Sequence, residues 1–177
     1  KENENDKQIR NIADGYPVCS VLFADIVGFT QMSQQLVPEK LVAILNDIFS
    51  HFDDLAEHHG LEKIKTIGDA YMVASGIPTP DGNHATNLAQ FALDMLQCMS
   101  DYRNKHGLTI EIRIGMHSGP AVAGVIGKNK FIYDIWGDTV NTAARMESHG
   151  RSGEIHISNL TKELLGPNFS FEDRGEI

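Results

Sequence analysis

Cysteine is scarce in this sequence, in which Cys19 and Cys98 are the only two among 177 residues. They lie far apart and form no C-x-x-C pair, which excludes a disulfide-stapled scaffold and fits a reducing compartment. The sequence also lacks any run of eighteen apolar residues, so it offers no candidate membrane-spanning helix. From both absences we expect a cytoplasmic domain that makes no membrane contact itself.

Basic residues are also few, since 15 Lys and Arg stand against 24 Asp and Glu, which gives a net charge of -9. An acidic surface repels a phosphate backbone, which argues against a nucleic-acid-binding protein. A small anionic substrate would need local help, such as a metal ion. Residues 119–124 have P-loop spacing without the following Lys-Ser/Thr, and no G-x-G-x-x-G occurs. The eight His residues show no zinc-ligand spacing.

The length of the chain fits one domain with one hydrophobic core. We assign the charged residues 1–16 to a linker and residues 17–177 to the domain. The sequence begins with Lys1 and stops at Ile177 within a predicted strand. We therefore expect a fragment with a truncated C-terminal end, cut from a longer parent protein that carries its regulatory regions upstream.

Apolar patterning predicts a mixed fold. Residues 18–25 form a continuous apolar run, typical of a strand buried on both faces, and Pro38 opens an amphipathic helix that ends near Gly60. Residues 63–67 and 70–74 flank Gly68-Asp69, which predicts a hairpin. The remaining predicted elements are strands at residues 109–117, 121–126, 131–136, 154–158 and from residue 169, and helices at residues 83–105, 138–147 (with Asp138 as N-cap) and 159–165. This order predicts an α/β (α+β) sandwich with a ferredoxin-like βαββαβ core, extended by further strands and short helices.

Two carboxylates meet if the first strand and the hairpin are neighbours, because Asp25 ends the strand and Asp69 lies at the hairpin tip. Such a pair is repulsive unless a cation lies between the two side chains. Mg²⁺ is commonly held by one or two carboxylates and completed by phosphates and water, which suits a nucleotide site. The alternative is a solvated strand end and a turn-forming Asp.

Two further groups suit a phosphate ligand. The backbone N–H groups of Gly28-Phe29-Thr30 could cradle phosphate oxygens, although a plain turn explains these residues equally well. Asn141 and Arg145 lie four residues apart on a predicted helix and so share a face. The alternative for Arg145 is an ordinary ion pair with Glu147 or Asp138.

Four sequence blocks carry a family resemblance: VLFADIVGFT (21–30), KTIGDAYMVASG (65–76), IRIGMHSGPAVAGVIG (112–127) and YDIWGDTVNTAARM (133–146). They occur in order, without large gaps, in a likeness that runs from about Pro17 to Ile177. The sequence therefore resembles the catalytic domain of class III nucleotidyl cyclases. The set is far more specific than any of its motifs taken singly.

The resemblance implies a role for each matching residue. Asp25, Asp69 and the backbone carbonyl of Ile26 would bind two Mg²⁺ or Mn²⁺ ions. Gly28, Phe29, Thr30 and Arg113 would contact the triphosphate. Lys65 and Asp134 would contact the purine. Asn141 would contact the ribose, and Arg145 the reacting phosphate. In this family the sites form at a head-to-tail dimer interface, so a homodimer of this chain would have two complete sites.

The purine-reading pair favours ATP. Adenine presents an acceptor at N1 and a donor at N6, which complement a Lys donor and an Asp acceptor, whereas guanine reverses the pattern. Guanylyl cyclases that resemble this chain usually carry Glu and Cys there. We therefore expect an adenylate cyclase, with a guanylate cyclase and a catalytically silent nucleotide-binding or dimerisation module as alternatives. The presence of Asp25, Asp69, Asn141 and Arg145 together argues against the silent module.

Overall fold

A six-stranded sheet with helices on both faces forms the fold in the computed structural model, which describes residues 13–127 and 132–175. The strands are β1 (Ala13–Val27), β2 (Glu62–Ile67), β3 (Ala70–Ser75), β4 (Glu111–Ile126), β5 (Ile132–Trp136) and β6 (Ile155–Ile157). The helices are α1 (Phe29–Gln35), α2 (Pro38–His58), α3 (His84–His106), α4 (Asp138–Ser148) and α5 (Asn159–Leu165), followed by a 3₁₀ turn (Gly166–Asn168).

The core is the ferredoxin-like unit expected from the sequence. Its strands lie in the order β2-β3-β1-β4, all antiparallel, and α2 and α3 make the two crossovers. The outer edge of β4 holds the additions, because β6 pairs in parallel with its first half and β5 pairs antiparallel with its second half. The predicted fold class is confirmed.

Strand β1 is buried on both faces, which explains its continuous apolar run. Successive side chains of a strand point to opposite faces. Leu22, Ala24 and Ile26 join the cluster formed with α2 and α3. Val21 and Phe23 join a second cluster with residues of α4 and β5. The sheet is therefore the middle layer of a sandwich.

The sheet curls so strongly that its two outer strands, β2 and β5, approach each other. Nζ of Lys65 on β2 lies 2.5 Å from Oδ2 of Asp134 on β5. Strand β1 contains a bulge, where the pairing with β4 shifts between Tyr16 and Cys19. Bulges increase the local twist of a strand, which favours a strongly curled sheet.

The structure corrects the predicted strands in three places. Strand β1 begins at Ala13, earlier than residue 18, and includes part of the expected linker. The two strands predicted at 109–117 and 121–126 are one strand, because Pro120 lies opposite the β1 bulge, where its missing N–H breaks no ladder bond. The strand expected from residue 169 is wrong within residues 169–175, since no strand pairs with them in the described chain.

Two helix predictions also need correction. Asp138 is the first helical residue of α4 and not its N-cap, which is Gly137. The short helix α1 was not predicted, because seven residues with only Phe29 and Met32 as large apolar side chains show no clear helical period. These two side chains pack against the main core and hold α1 in place.

Candidate active site

Asp25 and Asp69 lie side by side, near the end of β1 and just before the start of β3, as expected. Asp25 pairs with Ala70 in the β1–β3 ladder, so the preceding residue, Asp69, stands next to it in the turn. Burial raises the pKa of Asp25 to about 6, and the charges of Asp69 and Glu147 act in the same direction, with Arg113 opposing them. Burial is thus the main cause of the raised pKa, and the neighbouring acidic charges add to it.

The residues at this end of the two strands fit a hard divalent cation. Carboxylate and carbonyl oxygens, here from Asp25, Asp69 and the backbone of Ile26, are the donors that Mg²⁺ and Mn²⁺ prefer. A cation between the carboxylates would also offset the repulsion from Asp69, which adds to burial in raising the pKa of Asp25. Within residues 13–127 and 132–175, no group of three or more His, Cys, Asp or Glu side chains is arranged to hold a metal.

Gly28 turns the chain from β1 into α1, three residues after Asp25. Its φ of 77° lies in the left-handed region, which favours glycine. Phe29 and Thr30 then form the first turn of α1, where backbone N–H groups have no partner within the helix. This places backbone donors without a partner in the helix four and five residues after Asp25.

Arg113 connects β4 to the carboxylate pair. It is the direct ladder partner of Asp25, and its Nη2 lies 3.4 Å from Oδ2 of Asp25. Its Nε donates a 2.7 Å hydrogen bond to Oε1 of Glu147 on α4. The arginine thus bridges two acidic side chains at the edge of the site.

Asn141 and Arg145 lie on the exposed side of α4, whereas Ala143 is buried against the sheet. Within the described chain no hydrogen bond or ion pair joins either side chain to Asp25 or Asp69. The alternative pairing of Arg145 with Glu147 or Asp138 is wrong for the described residues. Residues two apart on a helix do not face each other, and Glu147 turns inward to Arg113.

Lys65 and Asp134 form a separate polar pair where β2 meets β5. Lys65 is 36% exposed and Asp134 is 15% exposed, so the pair is partly accessible to a ligand. The second carboxylate oxygen of Asp134 accepts a 2.9 Å bond from the backbone N–H of Ile135, which fixes the side chain. A donor and an acceptor are thereby held next to each other.

Three residues that shape the site were missed in the sequence: Glu147, Gly115 and Gly150. A Cβ on Gly115 would lie 1.9 Å from the backbone N of Glu147, so α4 packs directly on bare β4 backbone. A Cβ on Gly150 would lie 3.0 Å from Cγ of Arg113. Close backbone approaches leave no periodic signal, and these glycines could not be distinguished from turn glycines.

A ferredoxin-like sheet with paired carboxylates near a turn is the arrangement expected of a nucleotide cyclase domain. The comparison with family models agrees with this class. Residues 12–177 match the family described as Adenylate and Guanylate cyclase catalytic domain, and the chain belongs to this family.

Relatives of both purine specificities are similar to the chain. An adenylate cyclase of Mycobacterium bovis is 47% identical over 166 residues, which cover 94% of this chain and 38% of that protein. Guanylyl cyclase C of Sus scrofa is 48% identical over 167 residues, which cover 91% of this chain and 16% of that protein. The chain thus spans less than half of the length of either relative.

A solved structure of similar fold supports the same family. The catalytic core of a rhodopsin-guanylyl cyclase with converted specificity, in complex with ATPalphaS, has a TM-score of 0.85 and 40% identity, covering 89% of this chain and 86% of that one. The nucleotide cyclase fold expected from the sequence is confirmed. Among the helices of the described residues, none has the length and apolar character needed to cross a bilayer.

Proposed function

We propose that this domain is an adenylate cyclase that converts ATP to 3′,5′-cyclic AMP and pyrophosphate. The observation that carries the choice of base is the 2.5 Å contact between Lys65 and Asp134. The ammonium can donate to N1 of adenine while the carboxylate accepts from N6, and guanine presents the opposite pattern. A mismatch in a closed polar site leaves buried groups unpaired, so such a pair discriminates strongly.

The reaction is an in-line attack of the ribose 3′-oxygen on the α-phosphorus, with pyrophosphate as the leaving group. Two Mg²⁺ or Mn²⁺ ions, held by Asp25, Asp69 and the Ile26 carbonyl, would lower the pKa of the 3′-hydroxyl and neutralise the phosphates. The triphosphate is held by the backbone donors of residues 28–30 and by Arg113. Asn141 orients the ribose.

Arg145 stabilises the transition state in this proposal. Its guanidinium is exposed, and no acidic partner among the described residues neutralises it. A cation that is already in place when negative charge grows on the reacting phosphate contributes most in the transition state. Since Arg145 makes no contact with its own Asp25 and Asp69, we place it in the site of a second copy of the chain.

An exposed apolar strip on β4 and β5 supports the homodimer. Val122 pairs with Trp136 and Ile126 pairs with Ile132 across these strands. All four side chains are between 37% and 58% exposed. Exposed apolar side chains of this kind, here on either side of the Gly124–Asp134 pair, mark interaction sites, and a symmetric pair of chains would cover them twice. Each dimer would hold two interfacial sites.

We also propose the cytosolic side of the cell as the location, with ATP and a second copy as the partners of this domain. Cys19 and Cys98 are both free thiols, which fits a reducing compartment. The net charge of -9 disfavours nucleic acid as a partner. Regulation would come from parts of the parent protein outside this sequence.

The test is turnover of ATP and GTP by the purified domain, with Mn²⁺ or Mg²⁺, at increasing protein concentration. We expect cyclic AMP as the main product and specific activity that rises with the dimer fraction. Faster formation of cyclic GMP would make the domain a guanylate cyclase. Nucleotide binding without turnover in the dimer would support the silent module, with Asp69→Asn as the inactive control.

A further inference from the structure

Two glycines make room for Arg113 and its partner Glu147. Gly150 lies beside its aliphatic stem, where a Cβ would come within 3.0 Å of Cγ. Gly115, two residues along β4, lets the backbone of Glu147 approach within van der Waals contact of the strand. Because residues two apart on a strand share a face, Arg113 and the seat of Glu147 are neighbours. The fold thus builds a dedicated place for this pair.

The two acidic contacts of Arg113 are unequal. Its Nε lies 2.7 Å from Glu147, a good hydrogen bond, whereas its Nη2 lies 3.4 Å from Asp25, at the limit of one. A guanidinium is planar and its donors have fixed directions, so the bond at Nε determines where the Nη atoms point. Glu147 therefore sets the orientation, and Asp25 lies where the guanidinium is aimed.

Glu147 itself is held in place by its position on α4 and is 14% exposed, less than Arg113 at 29%. Its carboxylate is engaged by Arg113 and forms no three-residue metal cluster within the described chain. It is thus suited to orient the arginine and not to bind a cation directly. The sequence offered Glu147 only as a partner of Arg145, which the geometry does not support.

We infer that Glu147 is a positioning residue, which holds the guanidinium of Arg113 beside Asp25 in the orientation that binds a phosphate oxygen of the substrate. The inference rests on the proposed cyclase function. Without Glu147 the long arginine side chain would have to be ordered by the nucleotide itself, at the expense of binding free energy. The effect would therefore appear in nucleotide affinity.

The test is a double-mutant cycle on Glu147→Gln and Arg113→Gln, read by calorimetric titration with a nonhydrolysable ATP analogue and Mn²⁺. We expect Glu147→Gln to weaken binding about tenfold, since the bond from Arg113 keeps an acceptor oxygen but loses its charge assistance. In the Arg113→Gln variant, the same substitution should change the affinity for the analogue by no more than about twofold. Glu147→Asp keeps the charge and should recover part of the affinity.

The matched control is Glu154→Gln, which removes an exposed glutamate 4.0 Å from Arg151 and should leave affinity unchanged. Equal losses from Glu147→Gln with and without Arg113 would overturn the inference. A lower melting temperature with unchanged affinity would assign Glu147 a purely structural role and overturn it too. If the unsubstituted domain binds the analogue and makes cyclic AMP, these failures concern Glu147 alone; if it does neither, the proposed function fails.

Discussion

Lys65 and Asp134 stand on strands at opposite ends of the sheet order, yet their charged atoms are only 2.5 Å apart. The curl of the sheet therefore brings together, within one chain, the two residues that we propose read the base. Replacing both by the residues usual in guanylyl cyclases should invert the choice of base.

Lys65→Glu with Asp134→Cys should raise the ratio of GTP to ATP turnover by at least about 100-fold, because donor and acceptor are exchanged. The measurement is kcat/KM for both nucleotides with Mn²⁺. Lys63→Glu is the control on the same strand, since Lys63 pairs with Asp53 and not with Asp134. An unchanged ratio in the double variant would show that other residues read the purine.

Arg145→Ala should lower kcat by about 100-fold with little change in KM, because a contact made in the transition state is lost. Steady-state kinetics with ATP over a wide concentration range measure both constants. Arg151→Ala, an exposed arginine outside α4, should leave both unchanged. A rise in KM at constant kcat would instead place Arg145 in ground-state binding.

Shared sites predict complementation between two inactive variants. An equal mixture of Asp69→Asn and Arg145→Ala should recover about a quarter of the parent activity, because half of the dimers are mixed and each has one intact site. The control is a mixture of Asp25→Asn with Asp69→Asn, which leaves no intact site in any dimer. No recovery after verified subunit exchange would contradict sites built from two chains.

Gly115→Ala tests the seat of α4. The added methyl would lie 1.9 Å from the backbone N of Glu147, so the helix must shift, and we expect about 1–3 kcal/mol lower stability with a large loss of activity. Chemical denaturation and ATP turnover measure the two effects. A Cβ on Gly82 would have no other atom within 4 Å. Gly82→Ala should therefore change the stability by no more than about 0.5 kcal/mol and leave the activity unchanged.

His84 predicts a pH dependence of stability. Burial lowers its pKa from the usual 6.5, with Asp81 opposing the shift, and its Nδ1 lies 2.7 Å from Oγ of Ser20. The unfolded chain then binds a proton that the native chain excludes, so this stability is lost as the pH falls through 6.5.

His84→Gln removes that titration. Its melting temperature should be lower than that of the parent at pH 7.5, and the difference should narrow as the pH falls toward 5.5. A difference that stays constant over this range would show that His84 does not titrate between the two states.

The order of strands and helices was predictable because burial leaves a direct pattern in the residues. The apolar run of β1 indicated a strand buried on both faces, and Gly68-Asp69 indicated the hairpin that brings Asp69 to Asp25. The single strand β4 was not predictable, because Pro120 breaks strands except opposite a bulge. No local pattern shows a bulge in a distant strand.

The candidate site was only partly predictable from the sequence. The meeting of Asp25 and Asp69 followed from strand adjacency, whereas Lys65 and Asp134 were brought together by the family resemblance alone, since the curl of a sheet is a property of the whole fold. From the sequence, Glu147 was only an alternative ion-pair partner of Arg145, whereas in the structure it accepts a hydrogen bond from Arg113. Its contact with Arg113 depends on the close packing of α4 against β4, which Gly115 permits.

Helix α4 presents Arg145 outward and Glu147 inward. In a two-chain assembly with shared sites, its outer side would serve the neighbour's reaction centre while its inner side steadies its own. A displacement of α4 would therefore disturb both reaction centres at the same time.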